Sequence, residues 1–227
     1  MAPAMVLFDI DGTLLRRSGP HHREALVDSV RAVTGLDAST DHIPTQGMLD
    51  RDIFTWMLRD AGAAGDSINK WMPQLVRRAQ WLYARRCPGD LTGKVCPGVV
   101  PFLQALKASG ALVGLVSGNL TRIGWKKMER AGLKPYFRFG AFAENGRTRA
   151  DLVRIALREA RLKGWIRRSA PVSLIGDHPN DIDAAKKNGV RAIAVATGIA
   201  TRGELAAHQP DLLVEDLCAL RVEYLLQ

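Results

Sequence analysis

The sequence has few cysteines and no long apolar run, and both absences limit what the protein can be. Its three cysteines, Cys87, Cys96 and Cys218, are an odd number without a C-x-x-C pair, which argues against a disulfide framework and predicts a reduced, cytoplasmic protein. No apolar stretch approaches the ~18 residues that a membrane span requires. Asp9 interrupts the first apolar run too early for a signal peptide, so we expect neither membrane insertion nor secretion.

The chain also lacks a dense basic stripe, although basic residues exceed acidic ones. There are 32 Lys and Arg against 23 Asp and Glu among 227 residues, a net charge of +9. The basic residues occur as scattered doublets, such as Arg77-Arg78 and Lys126-Lys127, whereas nucleic-acid modules combine a basic stripe with aromatic residues. We interpret the doublets as solvated helix faces that at most attract anionic substrates. A nucleic-acid partner is therefore not expected.

Short apolar runs alternate with helical patterns along most of the chain. We expect buried strands at 4–8, 111–116, 172–175 and 191–195, with 212–214 as a candidate fifth. Strands that alternate with helices predict an α/β fold, a Rossmann-like parallel sheet with helices on both faces. Ligands of such sheets bind beyond the carboxyl ends of the strands, where the polar clusters of this sequence lie.

Residues 16–96 interrupt this alternation, because they contain no convincing buried strand. We expect three helices there, at about 20–34, 49–61 and 66–86. Pro73 predicts that the third helix is kinked or starts late. The sequence therefore predicts an all-helical cap domain at 16–96, inserted into an α/β core domain made of 1–15 and 97–227.

Two carboxylates follow the first apolar run, and two more follow the third. Asp9 and Asp11 lie beside a turn at Gly12, and Asp177 and Asp181 come after the strand at 172–175. At one sheet edge these four negative charges would repel one another unless a cation offset them. Carboxylate oxygens suit Mg²⁺, which also binds substrate phosphate. The four aspartates are therefore predicted to form a Mg²⁺ site.

The same edge would carry the other groups that phosphoryl transfer requires. A carboxylate can attack phosphorus, and a neighbouring carboxylate can transfer the proton. Ser117, with the N–H groups of Gly118 and Asn119, could donate hydrogen bonds to the phosphoryl oxygens. A cation must offset the carboxylate beside the phosphate, and either Arg149 or Arg147 could supply it. Arg149 is preferred because it directly precedes the start of a helix.

Four ordered motifs resemble those of the haloacid dehalogenase superfamily. They are DIDGTL at 9–14, SGN at 117–119, an arginine near 149 and GDxxxD at 176–181. The resemblance covers essentially the whole chain and implies that Asp9 is the nucleophile and Asp11 the acid/base. It also implies a Mg²⁺ ion held by the Asp9 carboxylate, the Asp11 backbone carbonyl and Asp177, with Asp181 as a close or direct partner. The family usually has a lysine where this sequence has an arginine.

The position of the insert is similar to that in the phosphoglycolate phosphatase-like subgroup. This resemblance implies a Mg²⁺-dependent phosphatase that hydrolyses a small phosphorylated metabolite, phosphoglycolate-like or a sugar phosphate, through an aspartyl-phosphate. Gly12, Thr13, Gly118 and Asn119 would bind the substrate. Two alternatives stay open, a phosphosugar mutase and a non-catalytic protein that binds phosphorylated ligands. His178 stands where the family often has threonine or serine, and we expect it in an exposed loop.

Overall fold

The computed structural model describes residues 1–16 and 19–227. Arg17 and Ser18, which fall within the predicted insert, lie outside the described residues. The strands of the described chain are β1 (Met5–Phe8), β2 (Leu112–Val116), β3 (Phe139–Ala141), β4 (Val172–Gly176), β5 (Arg191–Val195) and β6 (Leu212–Val214). They form one sheet in the order β3-β2-β1-β4-β5-β6, and every pairing is parallel. The predicted α/β fold is confirmed.

β1 lies at the centre of the sheet, and this position explains why its sequence is uniformly apolar. All four of its residues are fully buried, because helices cover both faces of a parallel sheet. Phe8 pairs with Leu115 of β2 on one side and Ile175 of β4 on the other. This register brings the carboxyl ends of the three strands to one edge of the sheet.

Eight α-helices accompany the strands within the described residues. They are α1 (His21–Thr34), α2 (Asp50–Asp60), α3 (Gly65–Arg86), α4 (Val99–Ala108), α5 (Thr121–Arg130), α6 (Arg149–Leu162), α7 (Pro179–Lys187) and α8 (Arg202–Ala207). Short 3₁₀ turns occupy Thr92–Lys94, Lys134–Tyr136, Leu217–Ala219 and Val222–Leu225. No helix of the described chain is both long enough and apolar enough to cross a membrane.

The helices α1, α2 and α3 match the three helices expected in the insert. α3 runs without interruption from Gly65, so the expected late start is wrong. Pro73 lies inside it on the exposed face, where water can hydrate the carbonyl that proline leaves without an N–H partner. The apolar stripe of α3 packs on α1 and α2.

The chain leaves the sheet for this insert and returns to it at one place. Leu15 forms an antiparallel bridge with Val95, and the Arg16 N–H donates to the Lys94 carbonyl at 2.8 Å. Buried residues of the insert and of the sheet belong to one continuous hydrophobic cluster. The division into a 16–96 cap and a 1–15 plus 97–227 core stays a prediction.

β3 has no counterpart among the predicted strands. It is only three residues long, and its central residue is Gly140, which weakens any strand pattern. The glycine has a packing reason, because a Cβ there would lie 2.7 Å from the Phe142 ring.

Candidate active site

Three of the predicted residues come together directly beyond the central strands. Asp9 follows β1, Ser117 follows β2 and Asp177 follows β4, and all three are buried. The backbone extends the sheet pattern here, since the Asp9 N–H donates to the Ile175 carbonyl at 3.0 Å. Thr13 donates its hydroxyl to Asp177 Oδ1 at 2.8 Å. The sheet edge therefore places these three side chains next to one another.

Asp181 joins this group from the first turn of α7. One carboxylate oxygen each from Asp9, Asp177 and Asp181 lies within 4.8 Å of the other two. We call these three residues the carboxylate triad. Asp181 keeps its position because its carboxylate accepts the His178 N–H at 3.3 Å, as part of the capping box of α7.

Arg149 reaches into the triad from the start of α6. Its Nη1 donates to Asp9 Oδ1 at 2.8 Å, and its Nε lies 3.3 Å from Asp181 Oδ1. Only 7% of Arg149 is exposed, whereas Arg147 is exposed. Thr148 caps α6, so Arg149 is the first helical residue.

The triad carries more negative charge than Arg149 offsets. Burial, followed by the charges of Asp9 and Asp181, raises the pKa of Asp177 to about 8. Burial also raises the pKa of Asp181 to about 7, although the charge of Arg149 opposes this rise. For Arg149, burial on its own would lower the pKa. The charges of Asp181 and Asp9 outweigh this effect and raise the pKa above its ordinary value, so the guanidinium stays protonated.

The triad offers a set of donor atoms that fits a hard divalent cation. Asp181 Oδ1 is buried and accepts no hydrogen bond from any residue that the structure describes. The backbone at Gly12 and at Gly198 packs closely against Asp177. A Cβ at Gly12 would lie 2.1 Å from Asp177 Oδ2, and a Cβ at Gly198 would lie 1.7 Å from the same atom. Crowded carboxylate oxygens with a spare acceptor are the ligands that Mg²⁺ takes. These residues could therefore hold a metal ion.

Mg²⁺ is expected to raise the melting temperature, and Asp177→Ala to remove most of this rise. At about 100 times its dissociation constant, a ligand of the folded state adds about 2.7 kcal/mol, which is roughly 5–10 °C for a chain of this size. Asp183→Ala, in the same helix as Asp181 but outside the triad, is the matched control. Thermal unfolding with Mg²⁺ and with EDTA measures both variants. An undiminished Mg²⁺ response in Asp177→Ala would place the metal elsewhere.

Asp11 points away from the triad. Both of its carboxylate oxygens accept hydrogen bonds from Lys127 Nζ, at 2.7 and 2.6 Å, and Oδ2 also accepts Asn119 Nδ2 at 2.7 Å. Partial burial on its own would raise the pKa of Asp11. The positive charges of Lys127 and His22, together with these hydrogen bonds, outweigh this effect and hold the pKa below its ordinary value. The side chain of Asp11 is thus held as a carboxylate outside the candidate metal ligands.

Lys127 is the principal site residue that sequence reasoning missed. We had expected the Lys126-Lys127 doublet to be a solvated face, and for Lys127 this is wrong, because only 1% of it is exposed. It lies on the buried face of α5, one helical turn after the fully buried Ile123. This i, i+4 spacing was the available signal. A lysine in such a position needs a carboxylate partner, and Asp11 is that partner.

The insert contributes two more residues that the sequence did not single out. His22 of α1 lies 3.2 Å from Lys127 Nζ through Nδ1 and 3.0 Å from Asp50 Oδ2 through Nε2. Asp50, at the start of α2, also accepts the Leu120 N–H at 2.7 Å, and its own N–H donates to the Gly118 carbonyl at 2.8 Å. The insert is therefore hydrogen-bonded to the loop that carries Ser117 and to the partner of Asp11.

The loop after β2 is shaped for close contact. Ser117 Oγ accepts the Asn119 Nδ2–H at 2.8 Å. A Cβ at Gly118 would lie 2.2 Å from the Met48 carbonyl oxygen, so only glycine lets the insert pack here. The site opens into a cavity of about 1430 Å³ between this loop and the insert. That volume admits a small organic ligand.

His178 lines this cavity, but it is not the exposed loop residue that we expected. Its Nδ1 accepts the Asn180 N–H at 3.1 Å, so His178 caps α7 and is partly buried. Pro179 at the first helical position ends the loop immediately after it. Burial, followed by the charge of Arg149, lowers the pKa of His178.

Comparisons with known proteins agree with this geometry. A family model described as haloacid dehalogenase-like hydrolase matches residues 4–189. A phosphoglycolate phosphatase from Synechococcus elongatus is 28% identical over 92% of this chain and 92% of its own length. A 5'-nucleotidase from Pseudomonas aeruginosa is 27% identical over 95% of this chain and 93% of its own.

Solved structures show the same fold. The β-phosphoglucomutase of Clostridium difficile superposes with a TM-score of 0.71 at 18% identity, covering 99% of this chain and 95% of that one. The family match spans most of the chain and includes all four motifs. The protein is therefore an enzyme of the haloacid dehalogenase-like hydrolase family, and the resemblance predicted from its sequence is confirmed.

Proposed function

We propose that the protein is a Mg²⁺-dependent phosphatase that hydrolyses a small phosphomonoester through an aspartyl-phosphate on Asp9. One observation carries the proposal: a buried carboxylate at the end of the central strand lies against a buried guanidinium, inside a cluster of acidic ligands. Bound Mg²⁺ would offset the charge of the phosphoryl group and of the triad. The family match and the names of the curated relatives support this class of reaction.

Asp9 is positioned for attack on phosphorus. Arg149 holds Oδ1 through its Nη1, which fixes the carboxylate plane and leaves Oδ2 for the new bond. Ser117 Oγ already accepts a hydrogen bond from Asn119, so its own proton is available to a phosphoryl oxygen. The backbone N–H of Gly118 would add a further donor. Attack forms the P–O bond to Asp9 and breaks the bond to the leaving oxygen.

Asp11 would handle the proton in both halves of the reaction. A phosphoryl dianion close to Asp11 raises its pKa through like-charge repulsion, and this favours protonation when substrate is bound. The acid then protonates the leaving oxygen. The resulting carboxylate, held by Lys127 and Asn119, takes a proton from the water that hydrolyses the aspartyl-phosphate. Lys127 acts here as a positioning residue.

Lys127→Met is expected to lower kcat by about 10²-fold, because general acid–base catalysis is worth about 10²–10⁴-fold and Asp11 would lose its main support. The loss should be greater for alkyl phosphates than for an activated aryl phosphate, whose leaving group needs less protonation. Lys127→Arg should recover part of it. Lys126→Met is the matched control, since Lys126 pairs with Glu129 at the surface. Equal losses on both substrate types would exclude this role for Lys127.

The substrate class is proposed from the relatives and from the site together. We favour a phosphoglycolate-like compound or a sugar phosphate, that is, a small phosphorylated metabolite that fits the cavity beside the insert. The alternative is a phosphosugar mutase, in which the phosphoryl group returns from Asp9 to the substrate. A non-catalytic phosphate-binding protein is disfavoured by the intact carboxylates. The free cysteines support a reduced, cytoplasmic setting.

A phosphate-release assay tests this function. The panel contains phosphoglycolate, several sugar phosphates and a 5'-nucleotide, because relatives are named for the first and the last of these. We expect steady release of phosphate from at least one of them with Mg²⁺ and none with EDTA. Isomerisation of a sugar phosphate without net release would favour the mutase. Release that EDTA leaves unchanged would contradict the metal-dependent mechanism.

A further inference from the structure

A second cavity lies near the C-terminal ends of α6 and α7, the two helices whose N-terminal ends contribute to the active site. α6 begins at Arg149 and α7 begins just before Asp181, and the C-terminal halves of both line a cavity of about 580 Å³. Leu162, at the far end of α6, is about 20 Å along the axis from Arg149, at 1.5 Å per residue. This cavity is therefore separate from the carboxylate triad.

Basic side chains surround the second cavity. They are Arg154, Arg158, Arg161, Arg168 and Lys187, and all five are exposed. No carboxylate is among the described residues that line it. Arg154 pairs with Asp151 at 2.7 Å, but the other four form no ion pair with any residue of 1–16 or 19–227. The cavity therefore concentrates positive charge that the described part of the protein leaves largely uncompensated.

Helix dipoles explain only part of this cluster. Arg161 lies in the last turn of α6 and Lys187 in the last turn of α7, where cations stabilise the exposed carbonyl groups. Arg154 and Arg158 lie earlier in α6, and Arg168 lies in the following loop. Like charges at the i, i+3 and i, i+4 positions of a helix repel each other. An anion bound in the cavity would relieve this repulsion.

The size of the cluster favours an extended anion. Arg154, Arg158 and Arg161 share one face of α6 and span about 10 Å along its axis, more than a single phosphate can contact. Next to them, the side chain of Leu162 is 74% exposed and lines the same cavity. The cavity thus combines a row of guanidinium groups with an apolar surface.

We propose that this cavity binds an oligophosphate, a chain of at least three phosphoryl groups that is either free or carried by a nucleotide. The guanidinium groups along α6 each grip phosphoryl oxygens with two N–H donors. Arg168 and Lys187, which also line the cavity, would contact the same chain. A nucleotide would also place its base against Leu162, which a free oligophosphate would leave uncovered.

Calorimetric titration with tripolyphosphate tests the proposal, in EDTA so that the probe chelates no metal. We expect wild type to bind tripolyphosphate at least tenfold more tightly than orthophosphate. Arg158→Gln/Arg161→Gln should weaken tripolyphosphate binding at least tenfold, about 1.4 kcal/mol. Arg77→Gln/Arg78→Gln removes the same charge from an exposed face of α3 and should change the affinity less than twofold. Arg168→Gln/Lys187→Gln repeats the test without altering α6.

The outcomes separate the proposal from a general effect of charge. Equal weakening in the cavity variants and the α3 control would overturn it, as would wild-type affinity for tripolyphosphate no higher than for orthophosphate. ATP is the second arm of the experiment. Tighter binding of ATP than of tripolyphosphate would assign the site to a nucleotide, and equal binding would assign it to the phosphate chain alone.

Discussion

Asp9→Asn is expected to reduce phosphatase turnover on the order of 10⁴-fold or more, the loss seen when a nucleophile is removed from other hydrolases. The amide has almost the same shape as the carboxylate but no negative charge with which to attack phosphorus. Asp9 Oδ1 lies 2.8 Å from Arg149 Nη1, and only 5% of Asp9 is exposed. Water therefore cannot readily replace Asp9 as the attacking group. Steady-state phosphate release with saturating Mg²⁺ measures the effect.

The same variant should remain folded, and this makes the experiment decisive. Asn at position 9 removes one charge from the carboxylate triad, so repulsion with Asp177 and Asp181 falls when no metal is bound. Asp60→Asn, at the exposed end of α2, is the control for a change from carboxylate to amide away from the site. Turnover close to wild type in a folded Asp9→Asn protein would refute the aspartyl-phosphate mechanism.

Arg149→Met is expected to cost about 3–5 kcal/mol of folding stability in EDTA, the range for removing one partner of a buried ion pair. Three buried carboxylates would then lie together with no cation. Arg147→Met, two residues earlier and exposed, should change stability by less than about 0.5 kcal/mol. Denaturant unfolding of the two variants and wild type gives both values. Equal stability of the two variants would contradict the central role of Arg149.

The loss of folding stability in Arg149→Met should depend on pH. The folded pKa of Asp177 is raised to about 8 and that of Asp181 to about 7, above their values in the unfolded chain. A carboxyl with a raised folded pKa destabilises the fold more as pH rises through that pKa. The charge of Arg149 lowers the pKa of both carboxyls, so its removal raises each pKa further and extends this loss of stability to higher pH. The loss in Arg149→Met relative to wild type should therefore be greater near about pH 9 than near about pH 6. Mg²⁺ should reduce it at either pH, and Arg149→Lys should show a smaller deficit.

The sequence was sufficient to predict the sheet centre and the edge at which Asp9, Ser117 and Asp177 come together. Short apolar runs such as 4–8 are typical of buried strands, and the polar residues that follow them meet where parallel strands end. The short edge strand at Phe139–Ala141 could not be predicted, because its central glycine and its length leave no alternating pattern. Its position depends on packing against Phe142, which is a tertiary contact.

The environment of Asp11 was harder to predict from the sequence. Lys127 and its neighbour Lys126 have the same chemistry, and the spacing of Lys127 from Ile123 is the one local signal that separates them, whereas the carboxylate that pairs with Lys127 is set by the folded protein. The contacts of His22 and Asp50 join α1 and α2 to α5, and residues so distant along the chain carry no local pattern that would pair them. The preference for Arg149 over Arg147, by contrast, depends on where α6 begins, which a local helix signal indicates, and its role stays a prediction.

The pairing of Leu15 with Val95 has a consequence for how the enzyme could change its substrate. Because the chain departs and returns at neighbouring positions, the two ends of the insert already lie together. Its length can vary without stretching the sheet, provided that the contacts of Asp50 with the loop after β2 are kept. A chimaera that exchanges only the segment between these two positions should keep the reaction and acquire the substrate range of the donor.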